Sequence, residues 1–318
     1  MTERVAGLDA PATDRRRRLL RLAGPRGIVA GLAIDHRDSL ATVLERHGRP
    51  ATTTAELRAL KLRLARALAP AATAVMLDEE LGGLALDEGV VPGSVGLVMP
   101  LEAQGYEAAG DGRTTSLMDD FGPSEALARG ADACKLLVPY RSDDERSAER
   151  QDGVIRMAAA ACHAVGLPLI VEPLVYRWST ERPDAYGARY PDLVLGAVRR
   201  IRPLGVDLLK LPFPVLAPAA QGDSAALDAC RELDAACAGT PWVLLGAGAE
   251  TAVFVEQVRL AGSAGASGFL AGRGIWGAAV GGDLDAAERI ASTACRADLV
   301  HCRQAAERHA RPLSAATA

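Results

Sequence analysis

Eight short apolar runs punctuate this chain, and most give way to a longer segment with helical spacing. The runs are GIVAGLAID (27–35), TAVMLD (73–78), SVGLVMP (94–100), DACKLLVPY (132–140), LPLIVEP (168–174), VDLLKLP (206–212), PWVLLGAG (241–248) and ASGFLAG (266–272). Segments rich in Ala, Leu, Arg and Glu follow at 54–69, 144–165, 191–202, 223–237 and 250–262. An apolar run of this length bounded by turn signals reads as a buried strand, and the longer pattern as a helix. Strands alternating with helices imply a parallel sheet with right-handed crossovers. Eight such units without a break favour closure over an open sheet. The expected fold is therefore α/β, a (β/α)8 TIM barrel forming one domain over residues 27–305. An N-terminal extension (1–26) and a C-terminal tail (306–318), expected to fray, flank it. The third-to-fourth connection is the least regular, because 101–121 hold loop signals such as GDGR.

Composition agrees with a barrel. Aromatic residues make up only 4% of the chain, so the core must come from Ala, Val, Leu and Ile. Strands buried on both faces by flanking helices are built that way. The formal net charge of −4 offers no field for nucleic acid, and the basic cluster Arg15–Arg18 reads as a solvated helix start. Six scattered cysteines with no C-x-x-C pair read as reduced core thiols. The opening residues lack a signal-peptide pattern, and no 18-residue apolar stretch suggests a membrane span, so a cytoplasmic protein without membrane or nucleic-acid partners is expected. The five histidines show neither H-x-H nor H-E-x-x-H spacing, and no strand runs into a dinucleotide fingerprint. No metal or organic cofactor is expected.

Active sites of such barrels lie at the C-terminal ends of the strands. Polar residues concentrate there. Strand one ends in Asp35-His36-Arg37-Asp38, strand two in Asp78-Glu79-Glu80 and strand five in Glu172, while Lys135 and Lys210 interrupt apolar strands. Lysine is almost never fully buried unless it is paired. Alternate residues of a strand share a face, so if Leu208 and Ile170 point inward, Lys210 and Glu172 do too. Two amines and a carboxylate then meet near the mouth. A lysine attacks a carbonyl only as the neutral amine, and desolvation and a neighbouring cation both favour that form. Glu172 and Asp35 are candidates for moving protons to and from substrate hydroxyls. The alternative is a set of salt bridges capping the barrel. Asp78, Glu79 and Glu80 read more simply as a solvated loop.

Strands seven and eight run into Gly246-Ala247-Gly248 and Gly272-Arg273-Gly274. Glycine allows close backbone approach to an anion, and phosphate sites recur after these two strands. Arg273 adds a charged donor. Arg141, just past strand four, is a candidate for reading a second anion at the far end of a sugar; the competing role is a salt bridge with Asp143 or Asp144.

Taken together these stretches resemble the class I aldolases that comprise tagatose-1,6-bisphosphate aldolase and sulfofructosephosphate aldolase. The resemblance rests on LAIDHRDSL (32–40), AVMLDEELG (74–82), CKLLVPYRSDD (134–144), VEPLV (171–175), DLLKLPFP (207–214), PWVLLGAG (241–248) and GASGFLAGRGIWG (265–277), in the family's order. The last stretch is most similar to the sulfosugar branch. The resemblance implies Lys210 as a Schiff-base lysine, with Lys135, Glu172 and Asp35 beside it. It implies that Gly248, Gly272 and Arg273 hold a phosphate or sulfonate. His36 stands where the family usually has glutamine, and Ala247 and Ala249 where it usually has serine, which bears on the substrate. The expected activity is reversible cleavage of a ketose 1-phosphate, of the tagatose-1,6-bisphosphate or sulfofructose-1-phosphate type, to dihydroxyacetone phosphate and an aldehyde. His36 and Arg141 are expected to contact the substrate, and a homodimer or homotetramer is expected. Two other readings stay open: a phosphosugar isomerase, epimerase or lyase using Lys210 as acid/base, and a non-catalytic sugar-phosphate sensor.

Overall fold

A computed structural model describes residues 12–49, 53–109, 112–216 and 218–316. Each of the eight apolar runs contains one strand: β1 (Val29–Ala33), β2 (Ala74–Met76), β3 (Gly96–Pro100), β4 (Ala133–Tyr140), β5 (Leu169–Val175), β6 (Leu208–Leu211), β7 (Trp242–Leu245) and β8 (Gly268–Ala271). They close into a parallel barrel in sequence order, with β8 pairing back onto β1. Two glycines allow that seam. A side chain on Gly31 would collide with Leu270, and one on Gly268 (φ +127°) with the Val29 carbonyl.

The buried residues divide into two clusters, and the division decides which way each strand faces. The larger lies between strands and helices and holds Leu32, Val75, Met99, Leu136, Val171, Leu209, Leu244 and Phe269. The smaller holds alternate residues of all eight strands: Val29 and Ala33, Ala74 and Met76, Val98, Ala133, Ile170, Leu208, Val243 and Leu270. Only the inside of a barrel brings those together. The next inward positions on β4, β5 and β6, two residues further along, are Lys135, Glu172 and Lys210. The apolar floor thus ends where the charged layer begins.

The two ends of the described chain, around Leu19 and Leu313, form the underside of this barrel. In the helix Ala12–Arg21, Leu19 joins the interior cluster along with Leu22 and Leu313. Arg21 Nε pairs with Asp132 at 2.6 Å, and the Leu313 amide donates to the Gly27 carbonyl at 2.7 Å. The sequence boundary at residue 305 falls inside the helix Arg296–His309, and Leu313 beyond it is fully buried. The tail expected to fray is held because it covers the open lower end of the apolar interior. Arg15 and Arg18, expected in a solvated helix start, lie near the barrel: Arg15 is 3.6 Å from Asp207, and Arg18 donates to the Ala131 carbonyl at 3.3 Å.

The helix Thr54–Leu68 begins with a capping box: Glu56 N–H donates to Thr53 Oγ1 at 3.3 Å while Thr53 N–H donates to the Glu56 carboxylate at 2.8 Å. Between β3 and β4 the irregular stretch contains an antiparallel strand pair, Glu107–Ala109 with Gly112–Thr114, and a short helix Pro123–Ala128. All six cysteines are free and buried. Among the described residues, no helix is long and apolar enough to cross a membrane.

Candidate active site

The inward layer above Ala133, Ile170 and Leu208 is a network of acids and amines. Lys210 Nζ donates to Glu172 Oε2 at 2.9 Å. Lys135 Nζ lies 3.4 Å from the same oxygen, 3.0 Å from Asp35 Oδ2 and 2.5 Å from Glu102 Oε1. The other oxygen of Glu102 accepts the Leu137 amide at 3.1 Å. Lys210, Lys135, Glu172 and Glu102 are 5%, 2%, 6% and 8% exposed. The structure therefore brings together all four residues expected to share the chemistry. It adds Glu102, which sequence reading passed over. Glu102 follows the end of β3 by two residues, the offset at which Asp35 follows β1, and that was the available signal.

Mutual charge sets the protonation states. Burial pushes the Glu172 carboxyl up, but the Lys210 and Lys135 ammonium groups together outweigh burial and hold it below the ordinary glutamate value. Asp35 follows the same pattern more strongly: Lys135 first, with Lys210 and, where it is protonated, His36, outweighs burial and holds the carboxyl below the ordinary aspartate value. For Glu102 burial wins over Lys135, with Asp35 adding to it, and the carboxyl is raised. Lys135 is raised well above the lysine value, because Asp35, Glu102 and Glu172 outweigh its burial. The expectation that Lys135 acts on Lys210 as a bare like charge is corrected here. Three carboxylate groups have an oxygen within 3.4 Å of its ammonium nitrogen.

His36 lines the space above Lys210. Its ring stands edge-on to Trp276, with centroids 5.2 Å apart, and its Nδ1 is buried without a hydrogen-bond partner. Burial lowers its pKa to about 4 against the pull of Asp35, helped by Arg273, Lys210 and Lys135, so the imidazole is neutral at pH 7.

Two cavities meet here. One, of about 180 Å³, is lined by charged and polar groups including Asp35, Arg37, Glu102, Gln104 and Lys135. The other, of about 270 Å³, is lined by Tyr190, Pro212, Gly246, Gly248, Gly272 and Arg273, among others. His36, Glu172 and Lys210 belong to both. Gly248 has φ +77°, and Ala247 before it is held at φ +44°, an uncommon conformation for a residue with a side chain. The expected anion-holding residues Gly248, Gly272 and Arg273 thus share one cavity, which meets the carboxylate-rich one at His36, Glu172 and Lys210.

Two other expectations do not survive. Arg141 is not at the cavity as a free anion reader. It is fully buried, forks onto Asp143 at 2.9 and 2.9 Å, donates to Glu181 Oε2 at 2.8 Å and to the Tyr176 carbonyl at 2.7 Å, and stacks 3.9 Å over the Trp178 ring. Its donors are consumed in tying the β4 and β5 loops together. The Asp78–Glu80 run is not simply a solvated loop. Asp78 is buried, forms an ion pair with Lys61, and caps the helix Glu79–Asp87 by accepting the Leu81 amide at 2.8 Å, while Glu79 pairs with Arg129 at 2.8 Å.

Residues 29–278 match the model of the DeoC/LacD family aldolase. Tagatose 1,6-diphosphate aldolase 1 of Streptococcus pyogenes serotype M3 is 30% identical over 284 residues, covering 84% of this chain and 86% of that protein. Tagatose 1,6-diphosphate aldolase 1 of Enterococcus faecalis is 29% identical over 279 residues, covering 83% and 84%. A solved structure of a Schiff-base-forming fructose-1,6-bisphosphate aldolase superposes with a TM-score of 0.56 at 19% identity, covering 89% of this chain and 97% of that one. At that identity the likeness speaks for the fold.

Proposed function

This chain belongs to the DeoC/LacD aldolase family and is a carbon–carbon lyase, and from that premise we propose that it cleaves a ketose 1-phosphate reversibly through a Schiff base on Lys210, giving dihydroxyacetone phosphate and an aldehyde. The observation that carries the reading is the place of Lys210. It is the one amine lining both cavities, with glycine-rich backbone and Arg273 on one side and the carboxylate cluster on the other. A ketose with its phosphate in the glycine-rich cavity beside Arg273 presents C2 at the amine and its hydroxyl-bearing carbons to the acids.

The steps follow from that placement. Glu172, in contact with Nζ at 2.9 Å, takes the ammonium proton. The neutral amine adds to the C2 carbonyl, protonated Glu172 returns its proton to the departing hydroxyl, and loss of water gives the iminium with Glu172 again a carboxylate. Glu172 then accepts the C4 hydroxyl proton, the C3–C4 bond breaks, and its electron pair flows into the iminium to give the enamine. The aldehyde leaves. Protonation at C3 and hydrolysis release dihydroxyacetone phosphate and restore Lys210. Asp35 and Lys135 hold the acid network in register, and neutral His36 offers a ring nitrogen to the substrate. The phosphate contacts serve positioning in both directions, which converts binding energy into rate. Six unpaired buried cysteines accord with work in the reducing cytoplasm, and we extend the reading to a homo-oligomer acting on sugar phosphates or sulfosugar phosphates.

Release of dihydroxyacetone phosphate from tagatose 1,6-bisphosphate and from sulfofructose 1-phosphate, each with and without a chelator, tests the reading. Release from at least one that is indifferent to the chelator is expected. Release that stops on chelation contradicts the Schiff-base route.

A further inference from the structure

The five tyrosines of this chain sit in different settings. Tyr140 donates to Asp152 Oδ1 at 2.5 Å, and Tyr186 to the Val175 carbonyl at 3.0 Å. Tyr106 is exposed and lies against the Arg113 guanidinium. Tyr176 is buried, and its hydroxyl is sealed from solvent without a hydrogen-bond partner. Tyr190 is 7% exposed, and among the described residues no group pairs with its hydroxyl either. It differs from Tyr176 in lining a cavity, the one of about 270 Å³ that also holds Lys210, Gly248, Gly272 and Arg273. A buried tyrosine hydroxyl ordinarily finds a partner.

Tyr190 reaches the cavity from the helix Pro183–Ile201, between β5 and β6, and not from a strand end. Its ring stands edge-on to Tyr186, with centroids 5.8 Å apart, and the Tyr186 bond to Val175 ties that part of the helix to the end of β5. Arg273 follows β8, so the two residues bound the cavity from different sides. The other polar side chains of the lining are His36, Glu172, Lys210 and Arg273. Tyr190 thus supplies its one hydroxyl, while Ala247 gives the β7 loop no side-chain donor. Burial, with Tyr186 adding to it, pushes the phenol above its ordinary value, so it stays a neutral donor. A phosphate monoester presents three acceptor oxygens, more than one guanidinium fork fills. We propose that the Tyr190 hydroxyl donates to the substrate phosphate, so that the dihydroxyacetone phosphate half is bound from the β5 side as well as by Arg273. The competing role is a ring that only packs on Tyr186. The proposal rests on the Schiff-base reading of Lys210.

Brief borohydride reduction with dihydroxyacetone phosphate and, separately, with dihydroxyacetone gives the half-saturating concentration of each, read as intact-protein mass. Wild type is compared with Tyr190→Phe, which keeps the ring against Tyr186 and removes a single oxygen. In the variant that concentration is expected to rise at least about tenfold for dihydroxyacetone phosphate, the worth of one hydrogen bond to a charged acceptor. For dihydroxyacetone, which lacks the phosphate, it is expected to stay unchanged, and that adduct shows the fold and Lys210 intact. An equal rise for both ligands, or no rise for either, overturns the proposal. The first outcome assigns the hydroxyl to the carbonyl end of the ligand, the second assigns Tyr190 to packing alone. If wild type forms no adduct with either ligand, the Schiff-base reading fails by itself. Calorimetric titration with inorganic phosphate then decides on Tyr190: binding weaker by at least about tenfold in Tyr190→Phe supports the proposal, and equal binding overturns it.

Discussion

Lys61 and Lys210 are both buried lysines held by a carboxylate, and they differ in what lies beyond the pair. Lys61 is sealed: it is fully buried on the helix Thr54–Leu68, and its partner Asp78 is 1% exposed. Lys210 opens onto two cavities through which a ligand can reach its nitrogen. Burial, the larger influence, holds the Lys61 ammonium below the lysine value despite Asp78. A perturbed buried lysine is therefore no mark of an active site on its own; access to a shaped cavity separates chemistry from scaffolding.

Substitutions can break or sharpen that contrast. Lys210→Met is expected to lower cleavage by more than about 10³-fold while the protein stays folded, because Glu172 keeps Lys135 as a partner at 3.4 Å. Circular dichroism alongside the rate assay checks both halves. Lys61→Met is expected to do the reverse. Stranding the buried Asp78 carboxylate costs on the order of 3–5 kcal/mol in urea unfolding, while kcat of the folded fraction changes little. Equal losses of activity in the two variants would erase the distinction.

His36 tests the contrast through pH. Its folded pKa of about 4 lies below the ordinary 6.5, so between those values the unfolded chain binds the proton that the folded chain refuses. Stability from this group is full above 6.5 and is lost as pH falls toward 4. The slope amounts to a few kcal/mol at most, roughly 3 for the full shift. His36→Gln should flatten that part of the stability curve in urea titrations at stepped pH. An unchanged slope would show that His36 is protonated in the folded protein and that the cavity is wetter than its burial implies.

How far the fold could be read without coordinates depended on locality. Buried strands needed only short apolar runs, and the inward face of β4, β5 and β6 needed only a period of two, so Lys135, Glu172 and Lys210 were legible as a layer. Glu102 lay in an irregular stretch and drew no notice, although its offset from β3 equals that of Asp35 from β1. The offset was not sufficient either. Asp78 stands two residues past β2, yet it turns to Lys61, which belongs to an earlier helix. For Arg141 the competing salt bridge with Asp143, two residues away, was legible and forms, but Glu181, 40 residues on, completes its cage and could not be seen. The closed underside was hidden as well, since Leu19 and Leu313, nearly a whole chain apart, belong to one buried cluster with the inward strand residues. Contacts set by tertiary closure leave no periodic trace in a chain.

The most direct test of the central claim is intact-protein mass after borohydride reduction in the presence of dihydroxyacetone phosphate, on wild type and on Lys210→Ala. A gain matching one reduced adduct in wild type, absent from the folded variant, is the predicted result. No gain in folded wild type, or an equal gain in Lys210→Ala, would contradict a Schiff base at Lys210.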